Sequence, residues 1–198
     1  PVKVAEIVEG MSEACRLADC VLLGGETAEM PGTYREGEMD IAGTIVGIVE
    51  RDRLLPRSDI TQGDVLVGLA STGLHTNGYS LARSITASMN LEEIQPELGE
   101  SLASALLRPH RSYFPLLGAI LEVNPNPIKA LAHITGGGLF ENIPRVLPPY
   151  LDAQISVKSW QWPAIFSLLQ RWGNVSDEEM RRVFNLGIGM VAILEESQ

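Results

Sequence analysis

Three glycine-rich runs, each entered from a short apolar segment of β type, set the strongest limit on how this chain can fold. The first is Gly24-Gly25-Glu26-Thr27-Ala28-Glu29-Met30-Pro31-Gly32, entered from Cys20-Val21-Leu22-Leu23. The second is Ser71-Thr72-Gly73-Leu74-His75-Thr76-Asn77-Gly78, entered from Asp64-Val65-Leu66-Val67-Gly68-Leu69-Ala70. The third, His133-Ile134-Thr135-Gly136-Gly137-Gly138, closes an apolar run that begins at Ile128. Between them the apolar spacing turns helical. Val4, Ile7, Val8, Met11, Cys15 and Ala18 recur on one face of residues 3–18. Further helices are predicted over 79–89, 100–107, 110–122, 139–146, 163–170 with Gly173 as a stop, and 177–183. The last carries Ser176 and Glu179 as a capping box. Strands are predicted over 20–23, 40–50, 64–70, 128–134, 153–157 and 187–194. Alternation of the two element types implies an α/β or α+β fold.

The stretch 51–58 carries charges and Pro56 and reads as a linker. It divides the chain into a part over 1–58 and a longer part over 59–198. The chain opens directly on a helix and stops soon after a strand, so a piece of a longer protein is expected. A net charge of −10, with no basic cluster longer than a pair such as Arg181-Arg182, argues against a nucleic-acid partner. No run approaches the roughly 18 apolar residues of a membrane span, and no basic-then-apolar leader opens the chain. Cys15 and Cys20 lack metal-ligand spacing and read as small packing residues of a reducing compartment. The expected setting is the cytoplasm.

Glycine lets backbone N–H groups approach an anion with no Cβ in the way, and a helix N-terminus behind the loop adds partial positive charge. Three such loops bordered by hydroxyls and amides suit phosphate groups, although tight turns use glycine too. None of them ends in the Gly-Lys-Ser/Thr of a P-loop, and none has dinucleotide-fingerprint spacing. Glu26 and Glu29 are oxygen ligands of the kind that hold Mg²⁺ beside phosphates; an acid/base pair or plain solvated charge fits the same spacing. His75 and His133 lie in glycine loops and are candidate proton carriers or phosphoryl donors, with turn histidines as the alternative. His110, at a predicted helix start, reads as structural. Asn77 fits a turn or helix cap, Asn142 a solvent-facing helix position, and Trp160 and Trp162 packing roles.

Taken together, these runs resemble one family, the aminoimidazole ribonucleotide synthetases, also called phosphoribosylformylglycinamidine cyclo-ligases. The first loop has the wording of that family's signature. Residues 63–81, from Gly63-Asp64-Val65 through His75-Thr76-Asn77-Gly78-Tyr79-Ser80-Leu81, resemble the opening of its second domain. Ala132-His133-Ile134-Thr135-Gly136-Gly137-Gly138-Leu139-Phe140-Glu141-Asn142, Trp160-Gln161-Trp162-Pro163, Phe184-Asn185 and Gly187-Ile188-Gly189-Met190 follow in the same order.

The resemblance implies a two-domain fold whose smaller N-terminal domain dimerises through its sheet, with the active site between the domains. It implies ATP and Mg²⁺ as cofactors, a homodimer, and formylglycinamidine ribonucleotide as substrate, converted to aminoimidazole ribonucleotide, ADP and phosphate. Glu26, Thr27 and Glu29 would then sit at the nucleotide, the two glutamates at its metal. Ser71, Gly73, Thr76, Gly78, Thr135, Gly136, Gly137, Gly138 and Asn142 would hold substrate phosphate, and His75, Asn77 and His133 would be catalytic. Relatives of similar plan, such as formylglycinamidine ribonucleotide synthetase or a small-molecule kinase, usually have Asp or Asn after the first glycine pair, where this chain has Glu26. A non-catalytic remnant is the other alternative. The family's Asp-Gly-Val-Gly-Thr-Lys type nucleotide loop is not in this chain, so the chain alone is expected to turn over little substrate. Where the family usually has Pro-Thr-Arg-Ile-Tyr, this chain has Pro109-His110-Arg111-Ser112-Tyr113, and Phe114-Pro115 follows in place of a basic residue.

Overall fold

Antiparallel pairing of one late strand with two earlier ones organises the longer part of the chain. The computed structural model describes residues 2–196. It falls into two units, one running up to Arg53 and the other from Leu54 onward.

In the first unit, α1 (Val2–Leu17) forms as its periodicity predicts. It ends in a Schellman turn. Asp19 takes a left-handed φ of 49°, and the Cys20 N–H donates to the Cys15 carbonyl at 2.9 Å. Beyond it, the predicted strands at 20–23 and 40–50 are not formed; the β-type pairing described there is an isolated bridge between Pro31 and Tyr34. The reason is physical. A strand exists only as part of a ladder that satisfies its N–H and C=O groups, and a β-branched run without a partner has nothing to pair with. Leu23 is 95% exposed and Ile48 99% exposed in consequence.

In the second unit, β5 (Ile188–Leu194) lies between β1 (Val65–Ala70) and β4 (Ile128–His133), antiparallel to both. The registers place Leu69 of β1 and His133 of β4 on either side of Met190. The fold class is α/β in the broad sense predicted. A small hairpin, β2 (Ile94–Gln95) with β3 (Glu100–Ser101), sits in the polar segment and leads into α3 (Leu102–Leu106). The predicted strand at 153–157 makes no ladder. Its residues nevertheless alternate between half-buried and exposed, with Ala153 and Ile155 packed on the sheet side, so the period-two pattern was real and only the pairing was missing.

Helices cover both sides of this sheet. α2 (Tyr79–Thr86), α3, α6 (Ala164–Gly173) and α7 (Asp177–Val183) share a core built on Leu74, Leu102, Phe166, Leu169, Met180 and Phe184. Burying a side chain such as Phe166 contributes roughly 2–3 kcal/mol. The Ser176 hydroxyl caps α7 by accepting from the Glu179 N–H at 3.2 Å. The reciprocal half of the predicted capping box is diverted, because the Glu179 carboxylate pairs with Arg182 at 2.9 Å. α4 (Phe114–Leu121) packs through Leu117 against Ile128 and starts later than the predicted 110. Pro115 is tolerated in its first turn, where no intrahelical N–H is needed. Residues 108–113 therefore run as a non-helical lead-in. α5 (Gly138–Asn142) is followed by a 3-10 turn at Pro144–Val146. Among the described residues, no helix is long and apolar enough to cross a membrane.

A buried ion pair fastens the start of β4. The Lys129 ammonium, 2% exposed, donates to Asp64 at 2.8 and 3.0 Å and to the Asp59 carbonyl at 3.1 Å. Its hydrogen bond to Asp64 raises the lysine pKa above its ordinary value, against the opposing effect of burial.

Candidate functional site

The second and third glycine loops meet in the second unit, and polar side chains tie them together. Asn77 spans the two. Its Nδ2 donates to the His75 carbonyl at 2.7 Å, and its Oδ1 accepts from the Gly136 N–H at 3.2 Å. Asn142 is buried, not solvent-facing as its helix position suggested. Its Nδ2 donates to the carbonyls of Thr135, Gly136 and Gly138, and its Oδ1 accepts from the Thr135 hydroxyl at 3.0 Å. It thereby fixes the third loop from below. Gly138, at φ 59°, could carry no side chain: a Cβ there would collide with the Arg181 carbonyl oxygen. The Gly137 N–H donates to the Arg182 carbonyl at 2.8 Å, which joins the loop to the end of α7.

Asn185, quoted in the sequence only as part of a motif, performs the same service for the second loop. It is buried, its Oδ1 accepts from the Ser71 hydroxyl and the Gly187 N–H, and its Nδ2 donates to the Gly73 carbonyl at 2.9 Å. The loop it holds is strained. His75 and Thr76 both have positive φ, 53° and 60°, a conformation that is rare for a β-branched residue. Such backbone persists only where its surroundings over-determine it, and Asn77, Asn185 and the packed Leu74 supply that constraint. Arg108 and Arg111 stand at the loop's rim, donating to the carbonyls of Thr72 at 3.3 Å and Ala70 at 3.0 Å.

Around this frame the three histidines gather. His75 and His110 stack with ring centroids 4.0 Å apart and planes 18° from parallel. His110 and His133 are tilted at 5.2 Å, and Tyr113 meets His75 edge-on at 6.1 Å. His75 is 1% exposed, whereas His110 and His133 are exposed. The Nε2 of His75 accepts from the backbone N–H groups of Thr72 at 3.0 Å and Arg111 at 3.3 Å. Those two donors assign the neutral tautomer with its proton on Nδ1. That Nδ1 is buried and has no hydrogen-bond partner among the described residues. Gly189 makes room for it: a Cβ there would collide with the Tyr113 hydroxyl and lie 2.7 Å from Nδ1.

Burial, then the neighbouring His110, His133 and Arg111, push the His75 pKa down to about 4. Burial and His133 lower that of His110, and burial lowers that of His133. The row is therefore a set of neutral imidazoles near pH 7. A cavity of about 320 Å³ opens beside it, with His110, His133 and Tyr113 at one end and Leu117, Leu131 and Met190 in its wall. A second cavity of about 240 Å³, lined by Gly68, Ile155, Trp160 and Ile188, holds none of the candidate residues. Trp160 donates its indole N–H to the Leu186 carbonyl at 2.9 Å, and Trp162 packs on the helical core, both as predicted.

The candidates thus fall into two groups. His75, Asn77, Thr76, His133 and Thr135 to Gly138 come together with Ser71 and Gly73, and Asn142 lies beneath them. His110, read as structural from its predicted helix start, joins them because that helix begins four residues later. Glu26, Thr27 and Glu29 lie in the first unit on an exposed segment without regular structure. Among the described residues no group of three or more His, Cys, Asp or Glu side chains could hold a metal ion.

Comparison with known proteins adds two family models and close relatives. The model for "AIR synthase related protein, C-terminal domain" matches residues 61–198, and that for "AIR synthase related protein, N-terminal domain" matches residues 1–49. The chain is 53% identical over 194 residues to a phosphoribosylformylglycinamidine cyclo-ligase of Desulfitobacterium hafniense, covering 98% of this chain and 57% of the relative. It is 52% identical over 199 residues to the protein of that name from Caldicellulosiruptor bescii, covering 98% of this chain and 58% of the relative. It is 48% identical over 195 residues to that of Thermoanaerobacter pseudethanolicus, covering 97% of this chain and 57% of the relative. The chain therefore spans a little over half the length of these relatives.

Proposed function

We propose, from the premise that this chain belongs to the AIR synthase related family, that it serves ATP-dependent ring closure in purine biosynthesis. The substrate is formylglycinamidine ribonucleotide and the products are aminoimidazole ribonucleotide, ADP and phosphate. The observation that carries the reading is identity near one half, sustained along almost the whole chain, to relatives bearing the cyclo-ligase name.

In this reaction the formyl oxygen attacks the γ-phosphorus of ATP. The new O–P bond forms as the bond to ADP breaks. The amidine nitrogen then attacks the activated carbon, and phosphate leaves with the oxygen. Little covalent work falls to the protein, so positioning and charge stabilisation dominate. The second and third glycine loops are assigned to substrate phosphate through Ser71, Gly73, Thr76, Gly78 and Thr135 to Gly138. The Ser71 and Thr135 hydroxyls and the Gly136 and Gly137 amides donate within the fold, so phosphate binding there exchanges those bonds. Arg111 supplies positive charge at the rim, while Arg108 pairs with Glu100. Asn77 and Asn142 hold the two loops in register. His133 remains the proton-handling candidate; His75, the other histidine expected in that role, has its free lone pair taken by the Thr72 and Arg111 amides.

Glu26 and Glu29, with Thr27 between them, are assigned to the nucleotide. Two carboxylates cannot cage a metal alone, but Mg²⁺ keeps waters and takes one or two carboxylates together with phosphate oxygens, so the pair fits that ion. Bound there, Mg²⁺ would neutralise phosphate charge. Residues 1–58 belong on this reading to the domain that carries nucleotide and dimer contacts, residues 59–198 to the second domain. The setting is a cytoplasmic homodimer.

The test is a coupled assay on the full-length gene product. ATP and formylglycinamidine ribonucleotide should yield aminoimidazole ribonucleotide with one phosphate released per turnover. Phosphate release without that product, or no ATP dependence, would sink the reading.

A further inference from the structure

We infer that His110 is a positioning residue: it roofs the buried His75 and sets the ring of His133, so that proton exchange with a bound substrate falls to His133.

The geometry divides the labour among the three rings. His75 is spent on structure. Its one free lone pair, on Nε2, is taken by the amides of Thr72 and Arg111, and its Nδ1–H points into a space with no acceptor. A ring so placed has no lone pair to offer a substrate, and moving it would release both amides and the strained turn at 75–76. His133 is the opposite case. It is exposed, borders the cavity, and its ring nitrogens have no hydrogen-bond partner among the described residues. His110 lies between them, stacked on one and tilted against the other, with its Nδ1 3.4 Å from the Thr76 hydroxyl. Its place depends on the late start of α4, which leaves residue 110 in the non-helical lead-in. Thr72 anchors that lead-in by donating its hydroxyl to the Pro109 carbonyl at 2.7 Å.

A stacked ring acts on its neighbours in two ways. It excludes water from the face it covers, and when protonated it repels the next imidazolium. The charged and titratable groups facing the row are Arg111 on the lead-in, Tyr113 at the start of α4 and the three imidazoles themselves. No carboxylate enters among the causes of the three lowered pKa values: burial lowers all three, and like charge acts in the same direction at His75 and His110. In the ring-closure step, the part of the inference that rests on the function proposed above, the amidine nitrogen loses a proton as its C–N bond forms. The neutral His133 nitrogen accepts that proton and later returns it to solvent.

The experiment separates the two parts. Imidazole ¹⁵N titrations are recorded on the full chain as wild type, His110→Thr and His110→Phe. In H110T the His75 titration should rise by about one unit and that of His133 should shift with it. H110F keeps a covering ring without the charge and should bring His75 part of the way back toward its wild-type value. Unchanged titrations in H110T, to within 0.2 units, would overturn the positioning role, whatever the enzyme's reaction proves to be. In the full-length gene product, His133→Asn should lower kcat at least tenfold with KM retained, and H110T should move the acidic limb of the kcat profile upward. If ring closure occurs and H133N keeps wild-type kcat, the proton-exchange assignment fails. If no ring closure occurs in the wild type, the function proposal fails while the titrations still decide His110.

Discussion

His75 and His110 stack at 4.0 Å, 18° from parallel, although one is sealed in the interior and the other faces solvent. Two like-charged imidazoliums cannot share that geometry cheaply, so the pair is a pH-sensitive joint. The folded-state pKa of His75 lies near 4, below the ordinary 6.5, because of burial and then of His110, His133 and Arg111. A histidine depressed in this way binds fewer protons folded than unfolded. Its contribution to stability is whole above pH 6.5 and is lost as pH falls toward 4. Chemical denaturation at pH 7 and pH 4.5 should show a loss of about 2–3 kcal/mol attributable to this residue. His75→Gln should flatten that slope; an equally steep slope in the variant would assign the acid sensitivity to other groups.

Gly138 offers a backbone test. Its φ of 59° and the Arg181 carbonyl leave no space for a methyl group. Gly138→Ala should destabilise the second unit by about 3 kcal/mol or more, because conformational strain and a backbone collision add. A urea melt of the chain measures it. A loss below about 1 kcal/mol would mean that the loop can be rebuilt without the Gly137–Arg182 hydrogen bond.

Asn185 ties the second loop to Gly187 through three hydrogen bonds, two to Ser71 and Gly73 of the loop and one from the Gly187 N–H. Asn185→Ala strands the Gly73 carbonyl and the Gly187 N–H away from water, at a cost of about 2–4 kcal/mol. Amide hydrogen exchange should accelerate at 71–78 and at 187–189 while β1 and β4 stay protected. Uniform loss of protection would instead mark Asn185 as part of the global core.

Lys129 and Asp64 test the interior ion pair. Lys129→Met leaves a buried carboxylate unpaired and should cost about 3–5 kcal/mol. The double variant Lys129→Met, Asp64→Leu should recover most of that loss, since both charges leave together. Equal destabilisation in single and double variants would show that the contact with the Asp59 carbonyl carries the effect.

Much of the second unit was legible in the sequence because its signals are local. The apolar runs of β1 and β5, the Ser176 cap and the helix stop at Gly173 each reside within a few neighbouring residues. What was not legible depends on partners distant in the chain. Segments 20–23 and 40–50 have strand composition and no ladder, and 153–157 has strand period without strand pairing. The candidate site divided along the same line. Glycine and histidine marked its loops, but nothing near residue 110 announces a ring stacked on His75. Asn185 was equally silent, because its partners at 71 and 73 lie across the fold. Pro115 was the local clue to His110, since a proline tolerated in a first helical turn moves the helix start past the histidine.

The uncharged run Ile41-Ala42-Gly43-Thr44-Ile45-Val46-Gly47-Ile48-Val49, with Ile48 almost wholly exposed, contributes nothing to the core of the described chain. Short β-branched segments of low charge, lacking proline, are the raw material of cross-β stacking. The same residues that would complete a sheet make this segment the weak point for storage and expression. Concentrated samples should grow thioflavin-positive fibrils seeded from 41–49, and a lysine at Val46 should act as a gatekeeper that slows them.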